Sequence, residues 1–103
     1  MSAADVIVTH PDDNVATALN DLSAGQSVTV ADSHRVTILT VVENVSRGHK
    51  ISLVALDINQ PVLKYGEQIG ITTMSVYAGC HVHTQNMRSM RIGGAPREVK
   101  NER

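Results

Sequence analysis

Aromatic residues are almost missing. Tyr65 and Tyr77 are the only two in 103 residues, with no Trp and no Phe. A surface that stacks single-stranded bases needs several aromatic faces, so that class of binding is excluded. A single cysteine, Cys80, rules out an intrachain disulfide and a multi-Cys zinc centre. Neither sign of charge dominates: 9 Lys and Arg against 10 Asp and Glu leave a net charge of −1. Such a balance offers no basic footprint for nucleic acid. No apolar run approaches the ~20 residues that cross a bilayer as a helix. The start does not read as a signal peptide, because Asp5 interrupts the short apolar opening and His10-Pro11-Asp12-Asp13 follows at once. Neither a membrane nor a nucleic acid is expected as a partner, and the cytoplasm is the default location.

What is present describes a small globular domain. Hydrophobic residues make up 42% and charged residues 18%, outside the range of disordered chains. The length suffices for one modest core and excludes a barrel enzyme. Val, Ile and Thr are spread along most of the chain and, with so few aromatics, must carry the core, which favours strands. The expected strands are Val6–Thr9, Val28–Val30, Val36–Val42, Ile51–Leu53, Val62–Tyr65, Ile69–Ile71, Thr73–Val76 and His81–His83, with a turn at Asp32-Ser33-His34. One segment reads differently. Val15, Ala18, Leu19 and Leu22 fall at i, i+3, i+4 and i+7, with Asp12, Asp13 and Asn14 as N-cap candidates and Gly25 as a stop. The spacing predicts a short N-terminal helix of about two turns over 14–19.

Three octets share an apolar second position, a turn residue at the fifth and Val at the eighth: 21–28, 55–62 and 75–82. Gly25, Asn59 and Gly79 are the residue types that best tolerate positive φ. Each octet anchors an apolar side chain, turns sharply and launches a strand. After Ile92 apolar residues nearly vanish. The expected organisation is one domain over 1–92 and a polar tail or linker over 93–103.

Few residues could carry chemistry. His49 and Lys50 follow Gly48 at a turn-to-strand junction, where an imidazole and an ammonium can face an anion or simply stand in solvent. His81 and His83, two apart in a strand, share a face; two imidazoles alone are more often neighbours than metal ligands. Gln85 and Asn86 can hydrogen-bond a carboxylate or a hydroxyl. Cys80 reads as a small packed side chain. Met74, Met87 and Met90, with Arg88 and Arg91, suggest an adaptable edge for another subunit or for self-association. No nucleophile has an orienting base.

Four segments in register resemble a known family: 13–25; 48–53, which begins Gly48-His49-Lys50; 64–70; and 78–86, which contains His81-Val82-His83-Thr84-Gln85-Asn86. Together they are similar to the SAF-type domain of altronate and galactarate dehydratases and to the separately encoded small subunit of sulfolactate sulfo-lyase. The likeness runs from about Asp5 to Ile92. It implies a mainly β, compact β-clip domain. It also implies part of a lyase that eliminates water, or sulfite, from a hydroxy acid or sugar acid, with a larger catalytic subunit or domain as partner. A divalent metal is expected in the assembled enzyme, held by that partner. His49 and Lys50 match the family's Gly-His-Lys, and His83 and Asn86 match its His-x-His-Asn. Gln85 replaces the usual second histidine, Ala55 an acidic residue and Asn59 a glycine. The resemblance therefore implies His83 and His49 as catalytic and Lys50, Gln85 and Asn86 as substrate-binding. Two other readings are a non-catalytic carbohydrate- or protein-binding module, as SAF-type domains are elsewhere, and a free-standing metal-binding protein built on His49, His81 and His83.

Overall fold

The computed structural model describes residues 4–31 and 36–90. The turn expected at 32–34, the tail at 93–103 and Arg91 lie outside the described residues. Among the described residues there are nine strands: β1 Val6–Ile7, β2 Val15–Ala18, β3 Ser27–Ala31, β4 Val36–Thr40, β5 Lys50–Ser52, β6 Pro61–Lys64, β7 Glu67–Thr72, β8 His81–Val82 and β9 Met87–Ser89. They form three antiparallel sheets, β1-β2-β5-β8, β3-β4 and β6-β7-β9. The mainly β expectation holds.

The N-terminal helix does not exist. Its residues form β2, paired with β1 on one side and β5 on the other. Val15, Ala16 and Ala18 are all buried, because a central strand covered on both faces hides successive side chains rather than one helical stripe. Leu19, which a helix would have buried, is exposed. The N-cap candidates do bind backbone, but at a distance. Asp13 accepts the N–H groups of Tyr65 and Gly66, and Asn14 accepts that of Leu63 and donates to the Pro61 carbonyl. Thr73–Val76 is likewise not a strand: Val76 makes one isolated bridge to Leu56. Met87–Ser89, by contrast, does form one.

Sheet β1-β2-β5-β8 divides the core. Cross-strand partners share a face, and Val6↔Ala18 and Ala16↔Ile51 look toward a cluster completed by Val28, Val30 and Leu39 from the β3-β4 hairpin. Val15 and Val82 look the other way, toward Val62 of β6 and Met87 of β9. Met87 and Met90 are core residues, buried to 7% exposure, so they line no exposed docking edge; among the described methionines only Met74 is exposed.

The octets are real, and there are four. The fourth runs 44–51, with Val45 at its second position, Gly48 at its fifth and Ile51 where the others have Val. Gly25, Gly48, Asn59 and Gly79 all have φ between 64° and 91°. Each donates its N–H to a carbonyl (of Val41, Ala18, Thr72 and Ser52, respectively), and the N–H of that same partner returns to the carbonyl of the next octet residue. Two residues therefore oppose one, the glycine-type bulge that kinks a strand and raises its twist. The apolar anchors bridge in pairs, Leu22 with Val45 and Leu56 with Val76.

Candidate functional site

Two of these bulged turns stand side by side. The one at Gly48 launches β5, the one at Gly79 launches β8, and β5 and β8 are paired with Ile51 opposite His81. This register brings His49, in the first turn, against His81 and His83 of the second. The rings lie nearly parallel. His49 and His83 have centroids 4.3 Å apart, His49 and His81 5.1 Å, and His81 and His83 5.5 Å. His49 Nδ1 and His81 Nε2 are 2.8 Å apart, a hydrogen-bond distance. All three are partly buried and remain open to solvent. One nitrogen of each lies within 4.8 Å of the others. That spacing and donor type fit a divalent transition cation, for which neutral imidazole is a standard ligand.

The surroundings hold the imidazoles in place. Gln85 Nε2 lies 3.1 Å from His81 Nδ1. The His81 backbone N–H donates to the Glu43 carboxylate. Asn86 is only 5% exposed. Its Oδ1 accepts the His83 backbone N–H at 3.0 Å and its Nδ2 donates to the His81 carbonyl at 2.8 Å. It is a staple across the loop that carries both histidines.

Burial first, and then charge, favour the neutral forms of His81 and His83. Burial lowers the His81 pKa from its ordinary value, His49 and His83 lower it further, and Glu43 opposes them. Partial desolvation, then His49 and Lys50, lower that of His83. Lys50 follows in β5; burial, then Lys64, depress its ammonium pKa. Among the described residues the only ion pair is His10 with Asp12, so Lys50 carries a cation without a carboxylate partner. Cys80 packs on the second core cluster, and burial raises its thiol pKa, the opposite of an activated thiolate. A groove of about 470 Å³ beside Pro11, Leu53 and the β3-β4 hairpin contains none of these side chains.

Thus His49, His83 and Gln85 do come together, Asn86 stands behind them, and Lys50 adjoins His49 in the chain. His81, which matches no fixed position of the resembled motif, is as central as either other histidine. The fourth octet was the available signal: it makes the turns at 48 and 79 equivalent.

Comparison with known proteins shows what this chain is similar to. The model of the altronate/galactarate dehydratase SAF domain matches residues 4–90. Altronate dehydratase of Escherichia coli (strain K12) is 42% identical over 80 residues, 78% of this chain and 15% of that protein. Subunit alpha of (2R)-sulfolactate sulfo-lyase from Chromohalobacter salexigens is 32% identical over 90 residues, 84% of this chain and 96% of that subunit. Galactarate dehydratase (L-threo-forming) of Escherichia coli is 30% identical over 73 residues, 71% of this chain and 13% of that protein. The chain thus spans only a small part of the two dehydratases and nearly all of a sulfo-lyase subunit. Among the described residues no helix is long and apolar enough to cross a membrane.

Proposed function

The chain belongs to the altronate/galactarate dehydratase SAF domain family, and on that premise we propose that it is the small subunit or accessory domain of a cytoplasmic, metal-dependent hydroxy-acid lyase. In this reading it sits beside the reaction centre of a larger partner and orients a sugar acid or related hydroxy acid. The observation that carries the reading is the convergence of three imidazoles from two adjacent bulged turns onto one accessible patch.

The chemistry needs what this patch holds. Eliminating water breaks the C–H bond next to the carboxylate, and that electron pair forms an enol double bond. The neighbouring hydroxyl leaves with a proton as water, so no oxidant or reductant is consumed. His83, held neutral by its surroundings, can accept a proton or donate a hydrogen bond. His49 offers a second such group one ring-stack away. Lys50 supplies a cation for a carboxylate, and Gln85 supplies amide donor and acceptor atoms. Asn86 positions His81 and His83 without touching substrate. A divalent cation in the assembled enzyme would polarise substrate oxygens as a Lewis acid. In this chain His49, His81 and His83 have the donor type to hold one.

Co-expression with a large dehydratase-type subunit of the same genome tests the reading. The complex is expected to turn over a sugar acid or sulfolactate, and the 103-residue chain alone is not. In the complex, His83→Ala is expected to lower kcat/KM more than tenfold, about 1.4 kcal/mol, with the fold intact. Failure to form a complex, or wild-type kinetics in His83→Ala, would leave the binding-module reading in its place.

A further inference from the structure

We propose that His49, His81 and His83 bind a first-row transition-metal cation on this chain itself, and that Gln85 reverses its side-chain amide when the cation enters. The assignment goes beyond the proposed function and stands without it, since it rests on the geometry of the three rings and their one amide neighbour.

The donor set selects the ion. Three imidazole nitrogens within 4.8 Å, with no carboxylate among them, suit zinc, cobalt, nickel or ferrous iron. Magnesium and calcium require oxygen ligands and are not served here. Three protein ligands leave at least one coordination position for water or a substrate oxygen. The Glu43 carboxylate is engaged by the His81 backbone N–H.

The hydrogen bonds show what entry of the cation must change. Gln85 Nε2 can only donate, so His81 Nδ1, 3.1 Å away, accepts. The proton of neutral His81 then sits on Nε2 and points at His49 Nδ1, 2.8 Å away. The metal-free site is therefore a directed line, Gln85 to His81 to His49, with the His81 proton between the two rings. The cation replaces that proton. His81 Nε2 becomes a ligand, its proton moves to Nδ1, and an acceptor is now needed where Gln85 holds its NH₂. Rotating the amide by half a turn presents Oε1 there instead. Ligating histidines nearly always give their second N–H to such an acceptor. Gln85 is exposed, which leaves room for the rotation.

The experiment titrates the metal-free 103-residue chain with Co²⁺, read by visible absorption, and with Zn²⁺, read by calorimetry. One Co²⁺ per chain with ligand-field bands is expected, displaced by Zn²⁺ and unaffected by excess Mg²⁺ or Ca²⁺. His81→Ala and His83→Ala should each weaken binding more than tenfold. Gln85→Leu removes the acceptor and should weaken it roughly 10–100-fold, while Gln85→Glu, a better acceptor, should match or exceed the wild type. Absence of saturable one-to-one binding, or full affinity in His81→Ala, overturns the site. Equal losses in Gln85→Leu and Gln85→Glu overturn the amide reversal, and because residue 85 is exposed neither variant should disturb folding.

Discussion

The Asp13 carboxylate accepts the backbone N–H of Gly66 at 2.8 Å, across 53 positions of sequence. Its second oxygen accepts from Tyr65 N–H and from the Thr9 hydroxyl. Tyr65 and Gly66 are the two residues of the β6-β7 hairpin turn, and both have positive φ, 60° and 72°. Such a turn matches strand twist, but a tyrosine enters it at a cost. The buried Asp13 offsets that cost and ties the start of β2 to the tip of a different sheet. Asp13→Ala is expected to lower stability by about 2–3 kcal/mol, and Asp13→Asn, which keeps one acceptor, by less. Urea unfolding measures both, and a loss below about 0.5 kcal/mol in Asp13→Ala would show that water replaces the carboxylate at no cost.

The repeated bulges predict unequal sensitivity to the same substitution. At Gly25 a Cβ meets nothing within 4 Å, so Gly25→Ala suffers only the positive φ, about 1–2 kcal/mol. At Gly79 a Cβ would drive into the backbone carbonyl of Thr40, which cannot swing aside as a side chain would. Overpacking adds roughly 1–3 kcal/mol. Gly79→Ala should therefore unfold at clearly lower urea than Gly25→Ala; equal midpoints would contradict the close approach.

Much of the fold was legible, and the misreadings share a cause. Alternation around Val28 and Val30 marked β3 because that strand has one wet face. Val15–Ala18 has no wet face, and a run buried on both sides carries no period to read. His81 and His83 could be placed on one face by strand alternation. Their meeting with His49 depended on the β5-β8 register, a long-range pairing that local spacing does not encode. Asp13 and Asn86 were recognised as polar residues with work to do, but their partners are backbone groups brought near only by folding. Spacing could not distinguish a ligand-facing amide from a staple. Met87 and Met90 looked like an adaptable surface because nothing in a short polar stretch announced that β9 closes the second core cluster.

Thr17 Oγ1 is buried in β2 without a hydrogen-bond partner. It shares the sheet face of Val15, toward the second core cluster, with Lys50 opposite it in register. A hydroxyl taken from water and left unpaired costs stability, and valine has the same shape without that loss. Thr17→Val is expected to raise stability by about 1 kcal/mol in thermal or urea unfolding. Destabilisation would mean that the hydroxyl has a partner, with Lys50, its register partner, the first to test.

Stability of the metal-free chain should fall on mild acidification. His81 is faced by His49, His83, Lys50 and Glu43, and His83 by His49 and Lys50; in both, burial leads the lowering from the ordinary value of 6.5. The unfolded chain takes up protons near that pH, while the folded rings take them up only at lower pH. Below pH 6.5 the unfolded state therefore binds more protons, and stability drops as pH falls toward the folded values. Above about pH 7.5 both states are neutral at these rings and their contribution is flat. Unfolding in chelator between pH 5 and 8 measures the slope. The His81→Gln, His83→Gln double variant should flatten it, and an unchanged slope would assign the effect elsewhere.

Asn86 separates support from contact. Its Oδ1 accepts the His83 N–H, its Nδ2 donates to the His81 carbonyl, and the residue is buried, so it acts on a ligand through the histidines it holds. Asn86→Ala leaves both backbone groups without a partner, a loss of about 1–3 kcal/mol. Stability alone does not distinguish a staple that merely closes the loop from one that sets the rings. Two further readouts do. Backbone hydrogen exchange at His83 should accelerate as its acceptor disappears, while exchange in the distant β3-β4 hairpin stays as in the wild type. Co²⁺ affinity, measured well below the unfolding transition, should fall as well, because the donors lose their fixed approach. Asn86→Asp keeps the acceptor for His83 but sets a carboxylate oxygen against the His81 carbonyl, so it should restore His83 protection without restoring the metal site. If Asn86→Ala binds Co²⁺ as the wild type does while losing stability, the amide serves the fold alone, and the rings are positioned by the two bulged turns without it.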